Sequence, residues 1–271
     1  MRYTGADLPR SETWRDQRER RYLVDPERVP DILAALGDRL PLMSYVPGSS
    51  RSFVVTTYLD SSERAYLSMV ERSAGHLSLK VRVREYMPLR EANGQPEKLL
   101  SGATCFLERK ERVGELRVKQ RVELAKNDIA AVLRRESQLS GDRTVVSALR
   151  AELDSRDLEP VLVSRYVRRV FGSDRALRVT FDEKIAFHAP PDGLYEGVSA
   201  LTPDVLGEPI GHGPDHILEL KEPRSLDTPG WLLELLDELE PAEQFSKFRD
   251  GMRCLSEWRA TGSGAVSVRS K

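Results

Sequence analysis

The sequence predicts an α+β fold whose centre is an antiparallel β-sheet. Segments rich in β-branched and aromatic residues alternate with segments whose apolar residues recur at helical spacing. In six of the predicted strands, Lys or Arg occupies one face and mostly apolar residues occupy the other. Because alternate side chains of a strand point to opposite faces, the sheet is expected to have a basic face and an apolar face.

The composition is that of a polar globular protein. The chain has 271 residues, of which 39% are hydrophobic and 31% charged, and its formal net charge is -1. This charge balance argues against a nucleic-acid partner. The two cysteines, Cys105 and Cys254, form no metal or redox motif. Neither a signal peptide nor an apolar run long enough to cross a bilayer is visible, so we expect a cytoplasmic protein without direct membrane insertion.

The first half of the chain is predicted to contain five strands and four helical segments. Asp25-Pro26 is typical of a helix start, since a capping residue precedes a proline. Gly114 predicts the turn of a hairpin, and the prolines and glycines of residues 87–104 predict a loop. The strands are expected at 19–24, 51–60, 78–86, 105–110 and 116–124, and the helical segments at 26–37, 66–69, 128–138 and 143–153.

The second half is predicted to contain three more strands and two helices. Thr228-Pro229 is expected to cap an acidic helix that continues to Leu239. The strands are expected at 161–171, 177–187 and 217–221, with a Pro- and Gly-rich loop at 188–215 and a last helix at 243–259. Residues 1–13 and 260–271 are expected to be flexible tails.

The strand at 79–86 carries the strongest functional signal, because Lys80, Arg82 and Arg84 share one face. A column of cations is repulsive unless water or anions separate its members. A flat sheet would expose this face to water, whereas a closed antiparallel barrel would turn it inward. An inward basic face becomes stable when it holds polyanions such as phosphate chains. Glu219 and Glu108 could then hold magnesium or manganese, although Glu108 is equally suited to pairing with a basic side chain.

Nine short motifs follow one another in the order found in a known family. They are Glu19-Arg20-Arg21-Tyr22-Leu23-Val24, Tyr58-Leu59-Asp60, Lys80-Val81-Arg82-Val83-Arg84, Phe106-Leu107-Glu108-Arg109-Lys110, Lys119-Gln120-Arg121, Tyr166-Val167-Arg168, Leu177-Arg178-Val179-Thr180-Phe181-Asp182, Leu218-Glu219-Leu220-Lys221 and Phe245-Ser246-Lys247-Phe248. On these motifs, residues 19–253 resemble the VTC domain, the catalytic domain of the vacuolar transporter chaperone polyphosphate polymerase. That domain belongs to the triphosphate tunnel metalloenzyme, or CYTH-like, superfamily.

The resemblance implies a domain at residues 14–259 built on an antiparallel β-barrel tunnel with helices packed outside. It implies an ATP-dependent polyphosphate polymerase that uses manganese or magnesium and has ATP and polyphosphate as partners. The residues that match the family's catalytic, phosphate-holding set are Lys80, Arg82, Arg84, Arg168, Arg178 and Lys247. Lys110, Lys119, Arg121 and Lys221 are expected to extend the basic lining. Arg21 replaces the usual lysine and differs in reach. The metal is expected at Glu219, with Glu108 as a second candidate.

Two other functions are compatible with such a tunnel: a triphosphatase acting on tripolyphosphate or nucleoside triphosphates, and a non-catalytic polyphosphate- or nucleotide-binding module. The superfamily's triphosphatases use a first-strand Glu-x-Glu-x-Lys pattern to activate water. Here Gln17 takes the first position and is neutral, and Glu19 is expected to pair with Arg21 or another cation. The presence of Glu219 argues against a binding module. We therefore predict the polymerase, for which no oligomeric state follows from the sequence.

Other polar residues are predicted to have structural roles. Asp182 is expected to be an ion-pair partner. Arg109 and Arg169 fall on the outer face by strand alternation. His212 and His216 lie in a loop without further ligands, so we do not expect a metal site there.

Overall fold

One sheet runs through the chain and confirms the predicted α+β class. The computed structural model describes residues 11–14, 17–44, 49–92, 95–99, 102, 104–114, 116–172, 177–196, 200–262 and 266–267. Within them the strands are β1 (Ser11–Trp14), β2 (Gln17–Leu23), β3 (Arg51–Asp60), β4 (Leu77–Ala92), β5 (Gln95–Leu99), β6 (Thr104–Val113), β7 (Leu116–Ala125), β8 (Glu159–Gly172), β9 (Arg178–His188), β10 (Gly211–His212), β11 (His216–Pro223), β12 (Glu240–Pro241) and β13 (Val266–Ser267). The helices are α1 (Val29–Arg39), α2 (Ala65–Arg72), α3 (Ile129–Leu133), α4 (Arg143–Ser155), α5 (Pro203–Leu206), α6 (Gly230–Asp237) and α7 (Lys247–Thr261).

The strand order of the sheet is β1-β7-β6-β4-β3-β8-β9-β11-β2-β12. Neighbours in this order are antiparallel. β1 pairs with β7, whereas β2, the next strand of the chain, pairs with β11 several strands away. Three peptide units connect Trp14 to Gln17, so their Cα atoms lie within about 11 Å of each other. The two sides of the sheet must therefore approach each other.

Side chains also meet across this gap. Glu19 on β2 lies 3.3 Å from Arg117 on β7 and 3.8 Å from Lys110 on β6, although neither strand neighbours β2 in the strand order. These contacts require the sheet to curl with its basic face inward. The sheet is thus curled into a tunnel-like arrangement rather than flat. It is not a closed barrel, because β1 and β12, at the two ends of the strand order, do not pair with each other among the described residues.

Helices cover the apolar outer face in two clusters. In one cluster, Ile32 and Leu36 of α1 pack with Leu218 of β11. In the other, Leu149 of α4 packs in the same core as Val81 of β4. Each such side chain contributes about 1.5–3 kcal/mol when it is fully buried. Apolar packing therefore lies outside the sheet and leaves its inner face to charged groups. Among the described residues, no helix is long and apolar enough to cross a membrane.

Several boundaries differ from the sequence prediction. The predicted loop at 87–104 is wrong over most of its length, because β4 continues to Ala92 and pairs with both β3 and β5. Ladder hydrogen bonds to these neighbours outweigh the local turn signals. The predicted loop at 188–215 contains α5 and β10. Two strands, β1 and β13, lie in the segments that we expected to be tails.

The helix starts also differ in their capping. Asp25 makes no side-chain cap, and a short 3-10 turn at Pro26–Arg28 leads into α1. α6 begins after Pro229, and the Thr228 hydroxyl donates instead to Glu222. α7 begins four residues later than predicted. The Ser246 side chain caps it by accepting a hydrogen bond from the backbone N–H of Arg249.

Candidate active site

The inner face brings the predicted site residues together in adjacent rows. Cross-strand pairing places Arg82 beside Glu108 and Glu108 beside Arg121. The same ladders align Lys80, Lys110 and Lys119. On the same face, in the other half of the strand order, the paired residues are Arg168 with Asp182, Arg178 with Lys221, and Arg21 with Glu219. Strand alternation therefore identified which side chains of each strand share the inner face, and the register between strands brings them together into one continuous surface.

Glu108 forms the centre of one cluster. Its side chain is 0% exposed, and its Oε2 accepts a hydrogen bond from Arg82 Nε at 2.8 Å. Arg84 lies 3.8 Å from the same oxygen, while Lys119 and Arg121 approach Oε1 at 3.5 and 3.8 Å. Burial would raise the pKa of this carboxyl, but Lys119 and the arginines hold it well below its usual range. Glu108 is thus an internal counter-ion for four basic residues, which we call the Glu108 cluster.

Glu219 and Glu19 form a second acidic position. Glu219 accepts from Arg21 Nε at 3.0 Å and from Lys221 Nζ at 2.8 Å. Glu19 pairs with the same arginine and lies 4.0 Å from the same lysine. Burial acts to raise the pKa of Glu219, but Lys221 and Arg21 hold it well below its usual range. Two ionised carboxylates therefore lie next to each other and share two cations.

Arg117 is the site residue that sequence reasoning missed. Strand alternation placed it on the basic face, but no phosphate role was assigned to it. In the structure Arg117 and Lys110 complete the basic surroundings of Glu19, whose side chain is 4% exposed. The hairpin pairing could have identified Arg117. It pairs with Arg112, two residues nearer the turn than the pair of Lys110 and Lys119 and on the same face.

Asp182 confirms its predicted role as an ion-pair partner. Arg168 donates to both of its oxygens, at 2.5 and 2.7 Å, and Lys247 donates to one at 2.7 Å. Both cations also lie over the Tyr166 ring, at 5.1 and 4.5 Å from its centroid. This contact attaches the first turn of α7 to the inner face of the sheet.

Lys80 lies under the same turn of α7. Its ammonium donates to Ser246 Oγ at 3.3 Å, and Arg21 donates to the backbone oxygen of Phe245 at 3.3 Å. The start of α7 therefore covers the Lys80 end of the basic row.

The charge state of Lys80 is expected to make phosphate binding depend on pH. Burial, followed by the positive charges of Arg21, Arg82 and Arg249, lowers its pKa to about 7 despite the opposing charge of Asp250. Above that pH the resting side chain is neutral and must take up a proton to bind an anion. Affinity for tripolyphosphate should therefore fall as pH rises through about 7, by up to tenfold per pH unit from this group.

Calorimetric titrations of the native protein and Lys80→Arg with tripolyphosphate, between about pH 6 and pH 9, measure this effect, since arginine stays charged throughout. Titration of the ligand itself is common to both proteins and cancels in the comparison. The native protein should lose affinity more steeply than the variant. Equal slopes would show that Lys80 keeps its proton in the unliganded tunnel.

Arg109 and Arg169 lie on the outer face, as strand alternation predicted. Arg109 donates to Glu152 of α4 at 3.0 Å, and Arg169 donates to Glu183 at 3.0 Å, both on the outside of the sheet. Within the described ranges, no three His, Cys, Asp or Glu side chains cluster in a way that could hold a metal ion.

The donor set suits a divalent ion at one of the two predicted positions. Magnesium is commonly held by one or two carboxylates and completes its coordination with substrate phosphates and water. Glu219, with Glu19 beside it, is the better candidate, because its side chain is 13% exposed and two cations lie within 4 Å of its carboxylate. Glu108 is the weaker candidate, because its side chain is 0% exposed and four cations lie within 4 Å of its carboxylate. We therefore prefer Glu219 as the metal ligand and interpret Glu108 as the counter-ion of its cluster.

Basic residues outnumber carboxylates on this face, and most of them are at least half-buried. Uncompensated charges are costly to bury, so the surface is best suited to a ligand that brings several negative charges. Arginine and lysine donors spaced along neighbouring strands match the oxygens of a phosphate chain.

Comparison with known proteins gives one family match. The model of the VTC domain matches residues 16–256. No curated protein matches the chain.

Solved structures with a similar course of chain share little sequence with it. A protein of Pyrococcus horikoshii OT3 is 13% identical with a TM-score of 0.43, and the match covers 89% of this chain and 98% of that protein. An adenylate cyclase candidate of Bacillus halodurans is 13% identical with a TM-score of 0.45, and the match covers 97% of this chain and 97% of that protein. An adenylyl cyclase candidate of Hippeastrum, described as having a dominant triphosphatase activity, is 16% identical with a TM-score of 0.48. That match covers 88% of this chain and 95% of that protein.

Proposed function

Because the chain belongs to the VTC domain family, we propose that it is an ATP-dependent polyphosphate polymerase. The observation that carries the proposal is the inward face on which lysines and arginines outnumber carboxylates. A curled sheet presents these donors to a ligand from several sides, as a linear polyanion requires. Eight of the nine motifs that match the family lie in the elements that supply this face, namely β2, β4, β6, β7, β8, β9, β11 and the start of α7, and the ninth lies in β3.

The proposed reaction transfers one phosphoryl group. A terminal oxygen of the polyphosphate chain attacks the γ-phosphorus of ATP and forms a new P–O bond. The bond between this phosphorus and the β–γ bridging oxygen breaks, and its electron pair leaves with ADP. No protein nucleophile is required. The contribution of the protein is alignment of the two reactants and neutralisation of the charge spread over the phosphoryl oxygens.

Basic residues at different positions of the inner face would supply the donors to the phosphate oxygens. Lys80, Arg82 and Arg84 supply donors along β4, and Arg168 of β8 and Lys247 of α7 supply donors beside them. Asp182 holds both of the latter cations in place, so their donors are oriented before substrate arrives.

A divalent ion is assigned to Glu219. Manganese or magnesium, when bound, would neutralise charge on the phosphoryl oxygens. Glu219 would supply one carboxylate oxygen, with Glu19 next to it. Arg21 and Lys221 occupy these oxygens in the protein alone, and both cations have phosphate oxygens as alternative partners once the substrate is present.

The choice of a phosphate chain over water as nucleophile follows from the state of Glu19. Glu19 already pairs with Arg21, Arg117 and Lys110, so its oxygens are occupied by cations and are poorly placed to accept a proton from water. The other position of the triphosphatase pattern, Gln17, has a side chain outside the described residues, and its amide is not a base. A polyphosphate end arrives already charged and needs no base.

We expect the protein to convert ATP into ADP and acid-labile polymer, with free phosphate as a minor product. The experiment incubates the full chain with ATP and manganese and quantifies ADP, phosphate and polymer in the same reaction. Boiled protein and a reaction with chelator are the controls. Polymer phosphate should account for most of the ADP formed.

Two other outcomes would replace the proposal. Phosphate equal to ADP, without polymer at any metal concentration, would identify a tunnel triphosphatase. Tight binding of ATP or polyphosphate without any ADP would identify a binding module.

A further inference from the structure

The inward row of β4 changes character along its length. Between Lys80 and Tyr86 this row carries Lys80, Arg82, Arg84 and Tyr86, and β4 continues beyond Tyr86 with Pro88 at the next inward position. At about 3.3 Å per residue, Lys80 and Tyr86 lie roughly 20 Å apart along the strand. The row therefore offers cations over most of its length and an aromatic ring at one end.

Tyr86 is part of a small aromatic group. Its ring meets the Phe106 ring at 6.0 Å between centroids and an interplanar angle of 72°. Arg84 lies over the Tyr86 ring at 6.0 Å, and Arg121 lies over the Phe106 ring at 5.0 Å. Burial would raise the pKa of Tyr86, but Arg84 outweighs it and lowers that pKa to about 8. Two rings and two guanidinium groups thus lie together at the end of the cation row.

The two ends of the row differ in their cover. At the Lys80 end the start of α7 lies over the row, through Ser246 and Phe245. At the other end the Tyr86 side chain remains partly exposed. A ligand with a bulky planar group at one end and a phosphate chain at the other fits this row in one direction, with the planar group at Tyr86.

We propose that Tyr86 and Phe106 form the subsite for the nucleobase of ATP, so that the triphosphate extends along the row toward Lys80. The inference rests on the proposed function, since it takes ATP as the donor. Nucleobases stack on aromatic rings and on arginine planes without requiring a particular base. Tyr86 is then the residue that distinguishes a nucleoside triphosphate from an inorganic one.

Tyr86→Leu tests the subsite, and Tyr86→Phe is the matched control that keeps the ring. Calorimetry of the full chain without metal measures binding of ATP and of inorganic tripolyphosphate. The leucine variant should bind ATP about tenfold or more weakly and tripolyphosphate within about twofold of the native protein, since stacking on a ring is lost and the cations stay. The phenylalanine variant keeps the ring and should therefore retain most of the ATP affinity that the leucine variant loses.

Equal losses for both ligands in Tyr86→Leu would show that Tyr86 acts on the phosphates through Arg84, and unchanged binding of ATP would place the base elsewhere. Either result overturns the inference. Thermal stabilisation by tripolyphosphate shows that the variant tunnel is folded. Because the measurement does not use turnover, its result is separate from whether the protein forms polymer.

Discussion

Glu108→Gln should lower the free energy of unfolding by about 3–5 kcal/mol in anion-free buffer, as is typical when one partner of a buried ion pair is removed. The substitution preserves shape but leaves the buried cations of the Glu108 cluster, Arg82 and Arg121 among them, without their shared negative charge. Added tripolyphosphate should recover most of the loss, because its oxygens can replace the carboxylate. Chemical denaturation with and without tripolyphosphate measures both effects.

Glu123→Gln is the matched control, since Glu123 belongs to β7 but is exposed. That variant should stay within about 0.5 kcal/mol of the native protein. A Glu108→Gln protein as stable as the native one, or one that tripolyphosphate fails to stabilise further, would contradict the role of Glu108 as an internal counter-ion.

Glu219→Gln should reduce turnover at least about a hundredfold, as expected when a group that stabilises transition-state charge is lost. Metal-free binding of tripolyphosphate should stay close to that of the native protein, because the amide keeps the shape of the side chain and Arg21 and Lys221 remain. Product formation from ATP and calorimetry with tripolyphosphate separate the two effects.

Glu234→Gln, an exposed change on α6, controls for loss of activity during preparation. Full turnover by Glu219→Gln would move the metal to another carboxylate, with Glu19 the next candidate because it shares the same two cations. A parallel loss of metal-free binding would instead show that Glu219 orients the phosphate-binding residues.

Much of the inner face was predictable because strand alternation is a local rule. Lys80, Arg82 and Arg84 share a face wherever an extended strand forms. The same rule placed Glu108 and Glu219 on that face. It could not say which cations each carboxylate meets, because those contacts depend on register between strands that are distant in sequence.

The errors have the same origin. Residues 87–104 contain turn-forming residues, yet β4 extends to Ala92 because β3 offers a partner as far as Leu89. The two roles considered for Glu108, metal binding and ion pairing, could not be separated while its neighbours were unknown. Arg117 received no role because its contact with Glu19 crosses the gap between the two sides of the sheet. Local sequence patterns determine the face of the sheet on which a side chain lies, whereas the curling of the sheet determines which ion-pair partners it meets.

The pairing of β2 with β11 has a consequence for folding kinetics. The contact between Arg21 and Glu219 joins residues 198 positions apart in the sequence. Such non-local pairings raise the contact order, and proteins dominated by them fold in milliseconds to seconds rather than microseconds. On the ribosome, β2 must wait for nearly the whole chain before it meets β11. Arg21 is synthesised long before Glu219, so in the nascent chain it lacks this partner until β11 emerges.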